Sequence, residues 1–209
     1  MKNKRKERIE VTYLKRTYTK LDMRHSFNGV FVDKLGSRVS TDGRVMTVAK
    51  SDLYEGFEGK IVNPKTNQPI ETEFVDWKQV IPSVNDDSIF VQKNFLSVKG
   101  FSKIEGFGIH ITNEIIISPT YMDLLEGREW VLMINGKNSP IIALDPTSPS
   151  FFLVIMPMRF DNMEKTSIDL RDLTERSCLT VEELEARNNL LIDTVNELTG
   201  RPKRELASA

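Results

Sequence analysis

The amino-acid sequence predicts an α+β protein: a β-rich core, residues 25–160, between a basic arm, residues 1–24, and a helical extension, residues 161–209. Three observations lead to this division. Across the core the apolar residues fall in short β-favouring runs separated by glycine, proline and asparagine. Beyond Phe160 the apolar period becomes helical, at Val181, Leu184, Leu191, Val195 and Leu198. The net charge of −1 hides an asymmetry. Residues 1–24 hold nine lysines and arginines against three acids, a net of +6, whereas residues 161–209 hold seven against eleven, a net of −4.

The elements follow in order. Val30-Phe31-Val32, Arg38-Val39-Ser40 and Val45-Met46-Thr47-Val48 read as strands split by Gly29, Gly36 and Gly43. Residues 58–63 and 70–75 flank a turn region bounded by Pro64 and Pro69. A second set starts at Ser88-Ile89-Phe90-Val91 and runs on through residues 104–117. Ser118-Pro119 then opens a helix, with serine as N-cap and proline at the first helical position, and Gly127 ends it. Strands at 130–134, 141–144 and 151–156 follow, the first two joined by the hairpin signal Asn135-Gly136-Lys137-Asn138. Thr180 with Glu183 three residues later forms a capping box for the terminal helix, which Gly200-Arg201-Pro202 stops.

Composition excludes several classes. At 209 residues, 39% hydrophobic and 28% charged, the chain suits one domain, or one and a half, with a real core. Its longest apolar run, residues 151–158, is too short for a bilayer, and no apolar segment follows the basic start as a secretory signal would require. A lone Cys178 and two histidines suit a reducing cytoplasm and give no disulfide framework or zinc module. The catalytic constellations are also missing. No glycine cluster leads into Lys-Ser or Lys-Thr, and Gly106-Phe107-Gly108 sits in a strand pattern without the turn and helix of a dinucleotide loop. Cys178 lies in a polar stretch with no activating partner, and Asp86-Asp87 face opposite ways on an extended chain. His110, between Ile109 and Ile111, reads as the solvent-facing member of an alternating strand. The expectation is a binder that is not an enzyme and needs no cofactor.

Three segments carry more information. Residues 151–160 read Phe-Phe-Leu-Val-Ile-Met-Pro-Met-Arg-Phe, a strand running into Met-Pro-Met-Arg and a bulky apolar residue. Upstream stands Ser40-Thr41-Asp42-Gly43-Arg44-Val45-Met46, and between them Phe74-Val75-Asp76-Trp77 leads to Ile81-Pro82. In this order they resemble the Thr-Asp-Gly turn, the Phe-Pro-Asp-Tyr connector and the C-terminal end of the bacterial sliding clamp, the DNA polymerase III beta subunit. The resemblance covers roughly residues 27–160. It implies a DNA-clamp-like domain of two β-rich halves with few helices.

The resemblance further implies a sequence-independent processivity factor that holds replication proteins on double-stranded DNA. Partners would be DNA polymerase and other proteins with a short clamp-binding peptide, and the chain would be a homo-oligomer away from membranes. Carried over by motif, Thr41, Gly43, Arg44, Met46, Val154, Met156, Pro157, Met158, Arg159 and Phe160 would line the hydrophobic peptide-binding cleft. Methionines suit this task, because flexible thioethers repack around different side chains. The basic arm supplies candidate phosphate contacts in Lys4, Arg5, Lys6, Arg8, Lys15 and Arg16. Two departures stand out. The charged residue of the turn is moved by one position to Arg44, and the chain has room for about one clamp domain where the family has three. Two alternatives stay open: a non-ring adaptor or decoy that binds polymerase peptides, and an unrelated β-rich structural or viral assembly protein.

Overall fold

Antiparallel pairing dominates the chain, as its short β-favouring runs require. The computed structural model describes residues 2–18, 27–84, 88–95, 108–110, 115–125, 127–136, 138–148, 150–158, 167–169 and 174–175. Helix α1 (Lys2–Thr17) leads into β1 (Val30–Val32), β2 (Ser37–Thr41), β3 (Val45–Lys50), β4 (Ile61–Val62) and β5 (Pro69–Ile70). A 3-10 turn, Trp77–Val80, precedes β6 (Ile89–Phe95), β7 (Gly108–His110) and β8 (Ile116–Ile117). A second 3-10 turn, Pro119–Tyr121, runs into the short helix α2 (Met122–Leu125). Then come β9 (Arg128–Ile134), β10 (Ile141–Leu144), β11 (Phe151–Ile155), β12 (Ser167–Asp169) and β13 (Thr174–Glu175).

Ten strands form one sheet in the order β13-β6-β9-β10-β11-β3-β2-β1-β4-β5, and β12-β7-β8 form a second. The large sheet has an internal symmetry. In it the 16-residue helix α1 precedes the meander β1, β2 and β3, and the four-residue helix α2 precedes the meander β9, β10 and β11. Their last strands, β3 and β11, pair antiparallel with Val45 opposite Ile155 and Ala49 opposite Phe151. Antiparallel pairing of equivalent strands is what an approximate two-fold axis requires.

Alternation along the strands gives the sheet two apolar faces. One holds Val45, Trp130, Leu132, Ile141, Phe151, Leu153 and Ile155, and both helices pack on it through Tyr13, Leu14, Leu124 and Leu125. The other holds Val39, Met46, Val48, Phe152 and Val154 and is covered by Trp77 and Ile81 from the first 3-10 turn and its end. Strands β2 and β3 are consequently buried along almost their whole length.

The stretch read as a basic arm is a helix that docks on the core. Leu14 is fully buried, and the Tyr13 hydroxyl donates to the Leu124 carbonyl at 2.7 Å, tying α1 to α2. Buried Glu10 accepts from the Ser148 hydroxyl at 2.5 Å, and Thr17 bonds Ser40 on β2. Arg128 pairs with Asp145 at 2.8 Å while its guanidinium lies 5.4 Å from the centre of the Tyr13 ring. The inner face of α1 is thus Glu10, Tyr13, Leu14 and Thr17, spaced i, i+3, i+4 and i+7. Only two of the four are apolar, so the sequence showed charge before it showed a helix. The capping box at Thr180 and its helix lie outside the described residues, as do Cys178 and Asp86-Asp87. Within the extension the described residues form β12 and β13, which local sequence pattern did not suggest.

Gly29 shows how tightly β1 enters the sheet. A Cβ there would stand 2.6 Å from the Val62 carbonyl oxygen and 2.7 Å from Ile61 Cγ2 on β4. Because the nearest atom is backbone, neither side can yield without moving a strand. Gly29→Ala is expected to destabilise the protein by about 1–3 kcal/mol, the usual cost of overpacking. A urea midpoint unchanged from wild type would contradict that close approach.

Candidate peptide-binding cleft

The two distant segments singled out in the sequence meet in the structure. The β2–β3 hairpin closes through Asp42, whose Oδ1 accepts the backbone N–H groups of Arg44 and Val45, each at 2.8 Å. Thr41 Oγ1 donates to the Val45 carbonyl at 2.8 Å and accepts from Gly43 N–H at 2.9 Å. Gly43 sits at φ 88°, a left-handed conformation that glycine adopts without strain. The Thr-Asp-Gly segment is therefore a self-contained turn. Beside it, Val154 stands opposite Met46 and Ile155 opposite Val45. The pairing continues past the end of β11, where Met156 N–H donates to the Arg44 carbonyl at 2.8 Å. Met158 N–H then donates to the Ile116 carbonyl of β8 at 2.8 Å.

Burial divides the candidate residues. Thr41, Met46 and Val154 are buried, the latter two as members of the sheet-face cluster that contains Trp77 and Phe152. Met156, Pro157 and Met158 are half-buried, and Gly43 is exposed. Met46 and Val154 are thus packed within the cluster that Trp77 and Ile81 cover, and only the strand end of Met156, Pro157 and Met158 beside them is partly accessible. Arg159 and Phe160 lie outside the described residues. Pro157 offers no N–H between the two bonded amides of Met156 and Met158, so this stretch leaves no donor unpaired.

Arg44 goes elsewhere. Its charge acts on Tyr121, which belongs to the cluster on the helix side of the sheet, whereas Met46 and Val154 belong to the opposite cluster. The shift of charge by one position in the turn thus has a visible consequence: the guanidinium is turned to the helix side. Burial pushes the Tyr121 phenol up to about 12, and the charge of Asp42 adds to this, while Arg44 acts in the opposite direction. Tyr121 therefore stays neutral at physiological pH and ties the second helical unit to the hairpin turn.

The Phe74–Pro82 connector supplies part of the cluster around Met46 and Val154. Trp77 and Ile81 are buried against the same cluster, with Phe74, Val84, Phe31 and Phe90 half-buried around it. Phe74 stacks on Phe31 with ring centres 4.8 Å apart and planes within 3°. Asp76 caps the 3-10 turn by accepting from Lys78 N–H at 3.3 Å. The apolar run Phe74-Val75 and Trp77 just ahead of Ile81-Pro82 was the available signal for these residues.

On the other face, Lys4, Arg5, Lys6 and Arg8 lie along the first half of α1, and Lys15 and Arg16 are exposed in its last turn. With 3.6 residues per turn, positions 4, 5, 8, 12, 15 and 16 share one stripe roughly 120° wide. That stripe is diametrically opposite positions 10, 13, 14 and 17, which enter the core. Position 6 falls in phase with 13 and 17 and so leaves the stripe. Of this stripe, the described side chains Thr12, Lys15 and Arg16 are exposed. No cluster of three or more metal-ligating side chains occurs among the described residues, and none of their helices is long and apolar enough to cross a membrane.

No protein-family model matches the sequence, and no curated protein does. Solved structures do match. The DNA polymerase III beta of Caulobacter crescentus aligns with 74% of this chain at 16% identity and a TM-score of 0.55. The DNA polymerase III subunit beta of Pseudomonas aeruginosa covers 74% at 14% identity, also with a TM-score of 0.55. A DnaN sliding clamp from Bartonella birtlesii, bound to griselimycin, covers 76% at 15% identity and the same TM-score. The chain spans only 64–65% of the length of these clamps. At such identities what is shared is the fold, and the chain accordingly has a divergent sliding-clamp-like fold, mostly antiparallel sheet with its helices on one face.

Proposed function

We propose that this protein is a clamp-like tether: it holds a partner through a short peptide seated beside Met46, Val154, Met156 and Met158, and it rests on double-stranded DNA through α1. The observation that carries this reading is the hydrogen bond from Met156 N–H to the carbonyl of Arg44, which sets the Met156–Pro157–Met158 strand end beside the Thr41–Asp42–Gly43 turn and the buried cluster of Met46, Val154 and Trp77. A half-buried methionine rim next to a buried apolar cluster suits an apolar side chain of a partner, with the sulfurs adapting to its shape. On the opposite face, the cationic stripe of α1 suits phosphates without reading bases. Tethering needs no covalent chemistry, so the protein acts as a processivity factor or scaffold and not as an enzyme.

A fluorescently labelled peptide of the clamp-binding type, titrated with the full chain, tests the first half. Saturable binding is expected, and Met158→Ala should weaken it about tenfold, equivalent to roughly 1.4 kcal/mol. Absence of saturable binding by wild type would remove the cleft reading. The non-ring adaptor is a second reading with its own support, because both edges of the ten-stranded sheet end in two-residue strands, β5 and β13. Mass in solution with and without DNA separates the two. A closed ring contains several copies, whereas an adaptor stays a single chain.

A further inference from the structure

Between α1, β2 and the loop that follows β3 lies a cavity of about 640 Å³ whose lining carries charges of both signs. Arg38 of β2 and Glu10 of α1 line it, and both are buried. Arg38 is 3% exposed, yet its hydrogen bonds among the described residues go to backbone carbonyls, from Nε to Leu53 and from Nη1 to Ser37 at 3.5 Å. A guanidinium has five N–H donors, so three remain for whatever enters the cavity. A buried charge with no anion bonded to it is unfavourable, and an anionic ligand group would relieve this.

Lys34 and Lys50 add two cations to the lining, and Asp52, Glu55 and Glu58 add three carboxylates. The side chains of Lys34, Asp52 and Glu55 make no hydrogen bond or ion pair among the described residues. Glu58 is ionised at neutral pH. Backbone N–H groups of its own residue and of Gly56 hold its carboxyl below the ordinary range, and the charge of Arg38 acts in the same direction. The acidic loop is already set. Ser51 Oγ accepts the Leu53 N–H at 3.1 Å, the Asp52 carbonyl accepts the Glu55 N–H at 3.1 Å, and Glu58 Oε1 accepts the Gly56 N–H at 3.0 Å. A rim fixed before binding loses little entropy when a ligand arrives.

We propose that this cavity binds a small zwitterion of the basic amino-acid type, its carboxylate held by Arg38 and Lys34 and its two cationic groups by the acidic loop. The charges choose between ligand classes. Four carboxylates against three cations disfavour a chain of phosphates, so duplex DNA does not suit this lining. A simple cation leaves the buried guanidinium without an anion, and a simple anion leaves the acidic loop without a cation. A carboxylate matches a guanidinium in shape as well as in charge. One carboxylate with two cations also brings the lining to neutrality. The cavity uses neither the methionine strand end nor the outer stripe of α1, so it stands whether or not the tether reading does.

An NMR titration of the full chain with L-arginine tests it. Saturable amide shifts are expected at millimolar concentration in residues 34–38 and 51–58. Agmatine keeps both cations of arginine but lacks its carboxylate, and it should bind about tenfold more weakly, the usual scale for one hydrogen bond to a charged group. Acetate, which supplies the carboxylate alone, should give no saturable shift. Lys34→Gln should weaken arginine about threefold, as should Asp52→Asn with Glu55→Gln, because these side chains are exposed. Since the three bond nothing in the free protein, the urea midpoint should stay in place. Absence of saturable shifts overturns the proposal. So does agmatine binding as tightly as arginine, which would leave only an acidic patch, or a DNA duplex that displaces arginine, which would make the cavity part of a phosphate surface.

Discussion

Trp130→Ala is expected to remove about 4 kcal/mol of folding free energy, within the usual range for an aromatic deleted from a core. The indole is fully buried, and three parts of the chain meet on it. Its ring lies 6.1 Å from Tyr13 of α1, edge-on, and 5.8 Å from Phe151 of β11, tilted by 53°. Its Nε1–H donates to the Leu125 carbonyl at the end of α2, at 3.0 Å. Truncation leaves a cavity under both helices and an unpaired buried carbonyl at once. Domains of this size are stable by roughly 5–15 kcal/mol, so the variant should sit close to its unfolding threshold. Trp130→Phe should recover most of the packing and keep only the loss of one hydrogen bond, about 1 kcal/mol. Urea unfolding, followed through Trp77, measures both. A Trp130→Ala midpoint near that of wild type would mean that the two helices do not share this anchor.

Neutralising the outer stripe of α1 is expected to have the largest effect on function. Changing Lys4, Arg5, Arg8, Lys15 and Arg16 together to glutamine should abolish most DNA binding at moderate salt. The slope of log K against log salt should become shallower by about 0.9 for every phosphate that the helix no longer neutralises. Glutamine has nearly the same helix propensity as lysine and arginine, so α1 should persist and the core packing of Tyr13 and Leu14 with it. Lys6→Gln is the internal control, because position 6 is out of phase with the stripe. Peptide binding at the far face should be unchanged in all these variants. Equal salt slopes for wild type and the fivefold variant would remove α1 as the DNA surface while leaving the cleft reading intact.

These two variants probe different degrees of sequence legibility. Trp130 lies in a β-favouring run that announces a buried strand, yet nothing local reveals that α1 covers it. The inner face of α1 is interrupted by Glu10 and Thr17, polar residues that bond Ser148 and Ser40, which are far away along the chain. A helix whose buried face is half polar has a weak apolar period, and the surrounding cations made it resemble a solvated arm. Arg44 shows the same limit. The shift of charge within the turn is plain in the sequence, but the turn of the guanidinium toward Tyr121 depends on α2 being nearby.

By itself the sequence determined the local structure: the strand at 141–144, the strand read as 151–156 and observed at 151–155, the Thr-Asp-Gly turn, and the start of a helical turn at Ser118-Pro119. Each follows from chemistry within a few residues, namely side-chain alternation, an aspartate bonding its own turn, and a proline that favours a first helical position. Only the tertiary structure decided which strands became neighbours. The junction of β3 with β11, the seating of Trp77 on one face and α1 on the other, and the capping of β6 by β13 all join residues distant in the chain. Local pattern shows that an apolar face must be covered. The choice of cover depends on which distant segments can bury it together while satisfying their own polar groups.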